Sequence, residues 1–454
     1  MRATLDLWWL LRRRSSDSRD PQGLTNVLAI IAFAATTAIL LVVVGGVGAF
    51  LARAGGIEGM KDGTAADVTS YDVQYPIFAA IAALLLLIPL VTLGGAAARL
   101  AVARRDARLA SLRLAGATTG QVATLTVLDA AAQALVGALA GLVGYAALLP
   151  LVAQLRFQGR TFALSELWVG VPAMLVAVVG VVLVALVSAA VSLRRVAITP
   201  LGVAARVTPP GLKAVRLVST GVAFLAMIVV TNVSLGSEAV AITVLVLVLV
   251  AGFATLNVVG PFVIWVVGRI TAHRARTVPT LLAGRRIVDS PKTAWRSVGG
   301  VALATFIAGM TSIFALFDPG MGADPGEAQF LTDLTTGGFL TLAIAGVLAA
   351  VSTGVMQAGR VIDQRGEYRT LTLAGTDLKT LDKARLRETV IPLVASVGVA
   401  TTGALMFMAP IVGLNAFANV DVVVQFLLCV VGASALVLAG AAASRFVVRS
   451  AMAA

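Results

Sequence analysis

Read for hydropathy, the chain breaks into ten apolar blocks separated by polar stretches. They are residues 25–51, 75–96, 126–150, 168–192, 216–233, 239–267, 297–317, 335–357, 389–412 and 421–443. A helix needs roughly 20 apolar residues to cross a bilayer. The pattern therefore predicts an all-α polytopic membrane protein with ten transmembrane helices. The fifth block is the shortest in prospect, and the sixth is long, with Gly260 and Pro261 inside it.

The polar stretches give the orientation. With the N-terminus inside, the outer loops hold Arg53, Lys61, Arg156 and Arg160, and the other 31 of the 35 basic residues lie inside. Basic residues concentrate on the cytoplasmic side of membrane proteins, whereas acids contribute little to orientation. This bias predicts that both termini are cytoplasmic. The longest outer loops, 52–74 and 318–334, are acidic, with Asp62, Asp67, Asp72, Asp318, Asp324 and Asp333 among their residues. Neither has the ~50 residues from which a folded domain is built. At the N-terminus, residues 1–23 place Leu7, Trp8, Leu10 and Leu11 before Arg12, Arg13 and Arg14. That order suits an amphipathic segment in the inner interface and is the reverse of a cleavable signal.

Two cytoplasmic stretches are alike. Residues 104–117 read RRDARLASLRLAGA, and residues 365–376 read RGEYRTLTLAGT. A shift of 259 positions sets Leu112, Leu114, Ala115 and Gly116 on Leu371, Leu373, Ala374 and Gly375, and Asp129 on Glu388. A match in the same place between spans predicts an internal repeat. The first unit is 24–206, with spans 1–4, and the second is 276–454, with spans 7–10. Residues 207–275 are a linking hairpin of two spans, so the two units run parallel.

Composition agrees with this reading. The chain is 59% hydrophobic and 13% charged, about half the charge of a soluble domain. The 44 glycines allow close helix packing, and the run at Gly137–Gly141 predicts such a contact. The net charge of +13 lies in loops between spans, which accounts for it without nucleic acid. One cysteine, Cys429, excludes an intrachain disulfide, and one histidine, His273, leaves no metal cluster. No GxxxxGK[ST] loop occurs, so the chain has no phosphate cradle of that kind.

Charges within the spans are few. Asp129 and Glu388 stand near the cytoplasmic starts of spans 3 and 9. Each is either a coupling or ion site or a helix-start acid favoured by the dipole and wetted by the cytoplasm. Gln133, Asn232, Asn257 and Asn415 are polar groups of the kind that serve helix packing. The absence of a charge at mid-span argues against an ion-coupled carrier.

Residues 365–376 resemble the cytoplasmic motif of the FtsX-like (MacB-type) permeases of ABC transporters, an Arg-x-Glu run followed by leucines and a glycine. Residues 104–121 look like a second copy. Residues 281–300, LLAGRRIVDSPKTAWRSVGG, are similar to that family's helix entering the first span of a unit. The ten-span layout looks like the bacitracin-efflux type, without its large outer domain. The motif glutamate matches Glu367, whereas Arg108 stands at that place in the first copy.

The resemblance implies a non-catalytic permease subunit in a bacterial plasma membrane. It implies two copies of a separate cytoplasmic ABC ATPase, which would bind the ATP and magnesium, while this chain holds no cofactor. The coupling residues it implies are Arg104, Arg105, Arg108, Leu112, Leu114 and Gly116, with Arg365, Glu367, Leu371, Leu373 and Gly375. The leucines are apolar anchors on a basic amphipathic stretch, and the glycines are helix-ending or close-approach positions. The expected work is on an amphiphilic substrate, by export or by resistance to an antimicrobial peptide, lipid or drug. Two other readings stand beside it: an ATP-independent carrier, and a mechanotransmitting protein that signals without transport.

Overall fold

A computed structural model describes residues 21–55, 74–103, 118–197, 238–312, 325–363, 370, 373–412 and 419–452. In chain order these form α1 (Pro21–Arg53), α2 (Gln74–Ala103), α3 (Thr119–Ala153), β1 (Arg156–Phe157), β2 (Arg160–Thr161), α4 (Leu164–Leu167) and α5 (Gly170–Ala197). There follow α6 (Glu238–His273), α7 (Val278–Asp289), α8 (Pro291–Ser312), α9 (Pro325–Asp363), α10 (Leu378–Val412) and α11 (Val420–Met452). The protein is an all-α multi-pass membrane protein. Eight helices among the described residues are long and apolar enough to cross a bilayer.

Those eight coincide with predicted spans 1–4, 6 and 8–10. Predicted span 5, like the N-terminal segment and Asn232, lies outside the described residues. Predicted span 7 is helical as α8, although α8 is not among the eight. Span 8 begins earlier than hydropathy placed it, because α9 starts at Pro325. Asp333 therefore lies in a helix, 3% exposed, and accepts a hydrogen bond from Gln329 one turn earlier at 2.8 Å. A carboxylate satisfied within its own helix carries a polar sequence into helical structure, and hydropathy reads that sequence as loop.

The chain divides into two compact units. One holds residues 1–205, 351–365 and 440–454, and the other holds 206–350 and 366–439.

In the first unit, α3 lies directly on α1. A Cβ on Gly137 would stand 2.5 Å from Phe33 Cβ, and one on Gly141 would stand 2.6 Å from Thr37 Cβ. The predicted glycine contact is thus a seam at which two backbones touch. Lipid tails are as apolar as leucine, so helices in a bilayer associate through such close packing. Thr37 faces α3 and Thr36 faces Gly94 of α2, and both return their hydroxyls to their own helix, Thr36 to Ala32 O and Thr37 to Phe33 O, at 2.8 and 2.9 Å. Helix α5 shows the membrane pattern most plainly. Val171, Leu175, Val179, Leu183, Val187 and Val191 are exposed, while Ala177, Val181, Ala185 and Ala189 are buried. The bulky residues face outward to lipid and the small ones face the protein.

In the second unit, α8 is the centre. Every residue from Val301 to Ala308 is buried, so the helix is enclosed on all sides. Gly300 meets Ala349 of α9, and Gly309 meets Ala404 of α10, where an added Cβ would stand 2.6 Å from the partner Cβ in each case. Trp295 lies on Gly260 of α6 and donates its indole N–H to Asn257 at 3.2 Å. Enclosure accounts for the polar side chains of α8: a helix with no lipid face can carry Ser297, Thr305, Thr311 and Ser312. Three of these hydroxyls bond to carbonyls of their own helix. Thr305 Oγ1 has no partner.

Candidate functional site

Between α9 and α10 the described part of the second coupling stretch is Thr370 and Leu373–Asp377. Ala374 N–H donates to Thr370 O at 2.9 Å, closing a helical turn. Gly375 follows with φ +88°, a left-handed backbone that glycine adopts without a Cβ clash. Asp377 O then accepts from Thr380 and Leu381 at 3.0 and 3.3 Å and starts α10. The turn leaves Leu373 81% exposed, more than any other large apolar side chain among the described residues. It belongs to no apolar span, so lipid tails do not account for it.

Helix α10 carries this turn into the unit. Leu381 and Ala384 are buried. At about 15 Å along the helix, two neighbouring residues clamp α7. Glu388 Oε2 lies 3.6 Å from Arg286 Nη1, with the two side chains 11% and 13% exposed. Arg387 Nη1 donates to Thr277 Oγ1 at 2.6 Å and also to Thr280 Oγ1. The two threonine hydroxyls are themselves 2.7 Å apart. Glu388 is thus an ion-paired acid at a helix–helix junction.

Helix α7 is held equally closely on its other side. A Cβ on Gly284 would stand 2.7 Å from Ala272 N, and one on Gly268 would stand 2.6 Å from Ile287 Cγ2. Ser290 ends α7 and Pro291 begins α8, so the two helices are joined directly. The turn at Gly375, helix α10, the clamp, α7 and α8 form one continuous packed path.

In the first unit Asp129 is half-buried in α3. One turn on, Gln133 donates to Asn26 of α1 at 2.9 Å, which agrees with the packing role expected of single amides. Asn257 fills the same role towards Trp295. Arg104, Arg105, Arg108, Leu112, Leu114 and Gly116 lie outside the described residues, as do Arg365, Glu367, Leu371 and Asn415.

Sequence reasoning passed over Arg286, Arg387, Thr277 and Thr280. The signal was present, since Arg387 adjoins Glu388 and Arg286 lies within the quoted stretch 281–300. Nothing in hydropathy pairs a residue of α7 with one of α10.

A second polar cluster closes the far end of α1. Arg53, with a side chain 2% exposed, uses all five of its N–H donors. They reach both carboxylate oxygens of Glu166 at 3.4 and 2.8 Å, Phe157 O at 3.1 Å, Gln158 Oε1 at 3.2 Å and Thr161 O at 3.1 Å. The acceptors come from a hairpin that pairs Arg156 with Thr161 and Phe157 with Arg160. Its two turn residues, Gln158 and Gly159, both have positive φ, as a tight two-residue hairpin requires. Phe162 lies under the guanidinium at 4.1 Å, and Phe50 packs on Phe157, Phe162 and Tyr75.

Residues 95–201 match the family model for the FtsX-like permease C-terminal domain. The match covers the end of α2 through α5 and includes the first coupling stretch. No curated protein and no solved structure matches the chain. The matched segment supports the FtsX-like ABC permease family, whose members are generally non-catalytic membrane subunits that pair with a cytoplasmic ABC ATPase.

Proposed function

We propose that this chain, with its FtsX-like permease domain, is the membrane subunit of an ABC transporter. It would couple hydrolysis by a separate ATPase to work on an amphiphilic substrate. The observation that carries the reading is Leu373. It is an apolar side chain presented on a left-handed turn outside the spans, at the head of a helix clamped to the rest of its unit. Apolar anchors in such positions dock on a partner's groove. The ATPase would hold ATP and magnesium, and its closure would push the turn, swing α10 and move α8 through α7.

The parallel layout predicts one such contact per unit and therefore two ATPase copies. Each unit has its third helix packed on its first through small residues, α3 on α1 and α10 on α8, and this supports a repeat. An amphiphilic substrate accords with the largely uncharged spans and the broad lipid-facing surface of α5. Glu388, engaged by Arg286, is a poor site for a coupling ion, which weighs against the carrier reading.

The test is affinity purification from native membranes in mild detergent, with stoichiometry of the co-eluting proteins. Two ATPase copies per chain support the proposal. A chain that elutes alone across several detergents overturns it. Deletion of Leu371–Thr376 is expected to abolish stimulated ATP hydrolysis and leave the permease folded. Unchanged turnover in that variant would remove the docking role.

A further inference from the structure

Helix α7 buries one side and leaves the other unpartnered. Ala283, Gly284 and Ile287 are buried. Val278, Leu281 and Arg285, spaced three and four residues apart, form an exposed stripe, with Val278 61% and Leu281 39% exposed. Cations flank this stripe at both ends. Arg274 and Arg276 precede α7, and Lys292 and Arg296 lie on the first two turns of α8. All four are exposed, as is Arg285. Among the described residues these five cations form no ion pair. Asp289 is the one acid on the stripe, and it too is exposed. Upstream, Arg269 stacks on Trp265 with its guanidinium 5.4 Å from the ring centroid, beside the exposed Ile270.

Position decides what such a surface meets. The apolar span Thr255–His273 ends at the residue before Arg274. The stripe begins just beyond it and runs to the mouth of α8. It therefore lies at the level where hydrocarbon gives way to headgroups. There a pair of aliphatic side chains can enter the acyl boundary while cations stay among phosphates. Unpaired arginines and lysines at that depth are complementary to negative lipid and carry a cost anywhere drier.

We propose that the outer stripe of α7, with the cations flanking it, binds the headgroups of anionic phospholipid. Arg274, Arg276, Arg285, Lys292 and Arg296 surround the phosphates, and Val278 and Leu281 seat the chains. Lipid so bound would set the position of α7, and through the clamp that of α10. The inference rests on α6 crossing the bilayer and is independent of the ATPase.

The experiment uses the purified full chain in neutral detergent. Phosphatidylglycerol or phosphatidylcholine is titrated in, and bound lipid is counted by native mass spectrometry. Selective retention of phosphatidylglycerol, weakening as salt rises, is the expected result. The triple variant Arg285→Gln, Lys292→Gln, Arg296→Gln should lose affinity by about fivefold for each cation removed. Asp289→Lys should gain affinity, which keeps the idea testable if the triple variant folds poorly. Equal binding of the two lipids, or unchanged retention in the triple variant, overturns the proposal. Displacement by inorganic phosphate alone would show a phosphate site that needs no lipid. A triple variant that keeps its phosphatidylglycerol response but no longer captures the ATPase would make this a protein-docking face.

Discussion

The cap on α1 and the clamp between α7 and α10 use the same chemistry to opposite ends. Each sets an arginine against a glutamate and adds threonine oxygens. At the cap, Arg53 is fully enclosed, its five donors are filled and an aromatic ring lies beneath it. At the clamp, the ion pair stands at 3.6 Å and the second arginine reaches two hydroxyls through one nitrogen. A buried charge with every donor satisfied holds one geometry, because any displacement leaves a donor unpaired in a dry place. An ion pair at 3.6 Å is not held to one geometry in that way. The cap is built as a lock, and the clamp, with its longer ion pair, as a joint.

This contrast can be broken at its strong end first. Glu166→Ala leaves Arg53 buried and uncompensated, which should cost about 3–5 kcal/mol. Thermal unfolding of the purified chain in detergent should show a large drop in midpoint. Arg53→Lys should fail nearly as badly, since three donors on a point charge cannot fill a five-donor cradle. A midpoint within error of the parent in both variants would mean that the cap holds nothing.

Next comes the joint. Arg387→Met removes two hydroxyl contacts and should cost roughly 1 kcal/mol. Its larger effect should be on coupling, with ATP hydrolysis persisting in the complex while permease movement, read by a fluorescence pair on α7 and α8, declines. If hydrolysis and movement fall together, the clamp serves assembly and transmits nothing.

The smallest stability effect belongs to Leu373. Leu373→Asp changes an exposed position and should alter stability by less than about 0.5 kcal/mol, while capture of the ATPase is lost. A variant that captures the ATPase as well as the parent would show that this exposed leucine is not the anchor.

Much of the fold was legible because leaving water is a local property of a segment. Eight of the ten apolar blocks are helices of spanning length and composition, and the glycine run at Gly137–Gly141 is a helix contact. The site was legible only in outline. Gly375 has a left-handed backbone and Leu373 is exposed, which is as much of the second coupling stretch as its sequence pattern foreshadowed. The partner of Glu388 was not legible, because Arg286 lies on another helix and no local pattern links them. Arg53 counted only as a basic residue of an outer loop. Its enclosure depends on a hairpin more than a hundred positions away.

By itself the sequence determined that the chain must enter the membrane many times and where most of the helices run. It also marked which polar stretches lie between them. The tertiary structure alone decided which helix faces what. Helix α5, rich in valine and leucine, turns those residues outward, while α8, less apolar and carrying serine and threonine, is the most enclosed. Hydropathy cannot separate these cases, because lipid tails and a packed protein interior are both apolar. What separates them is shape, the fit of small residues against a neighbouring backbone, and that exists only once the neighbours are in place.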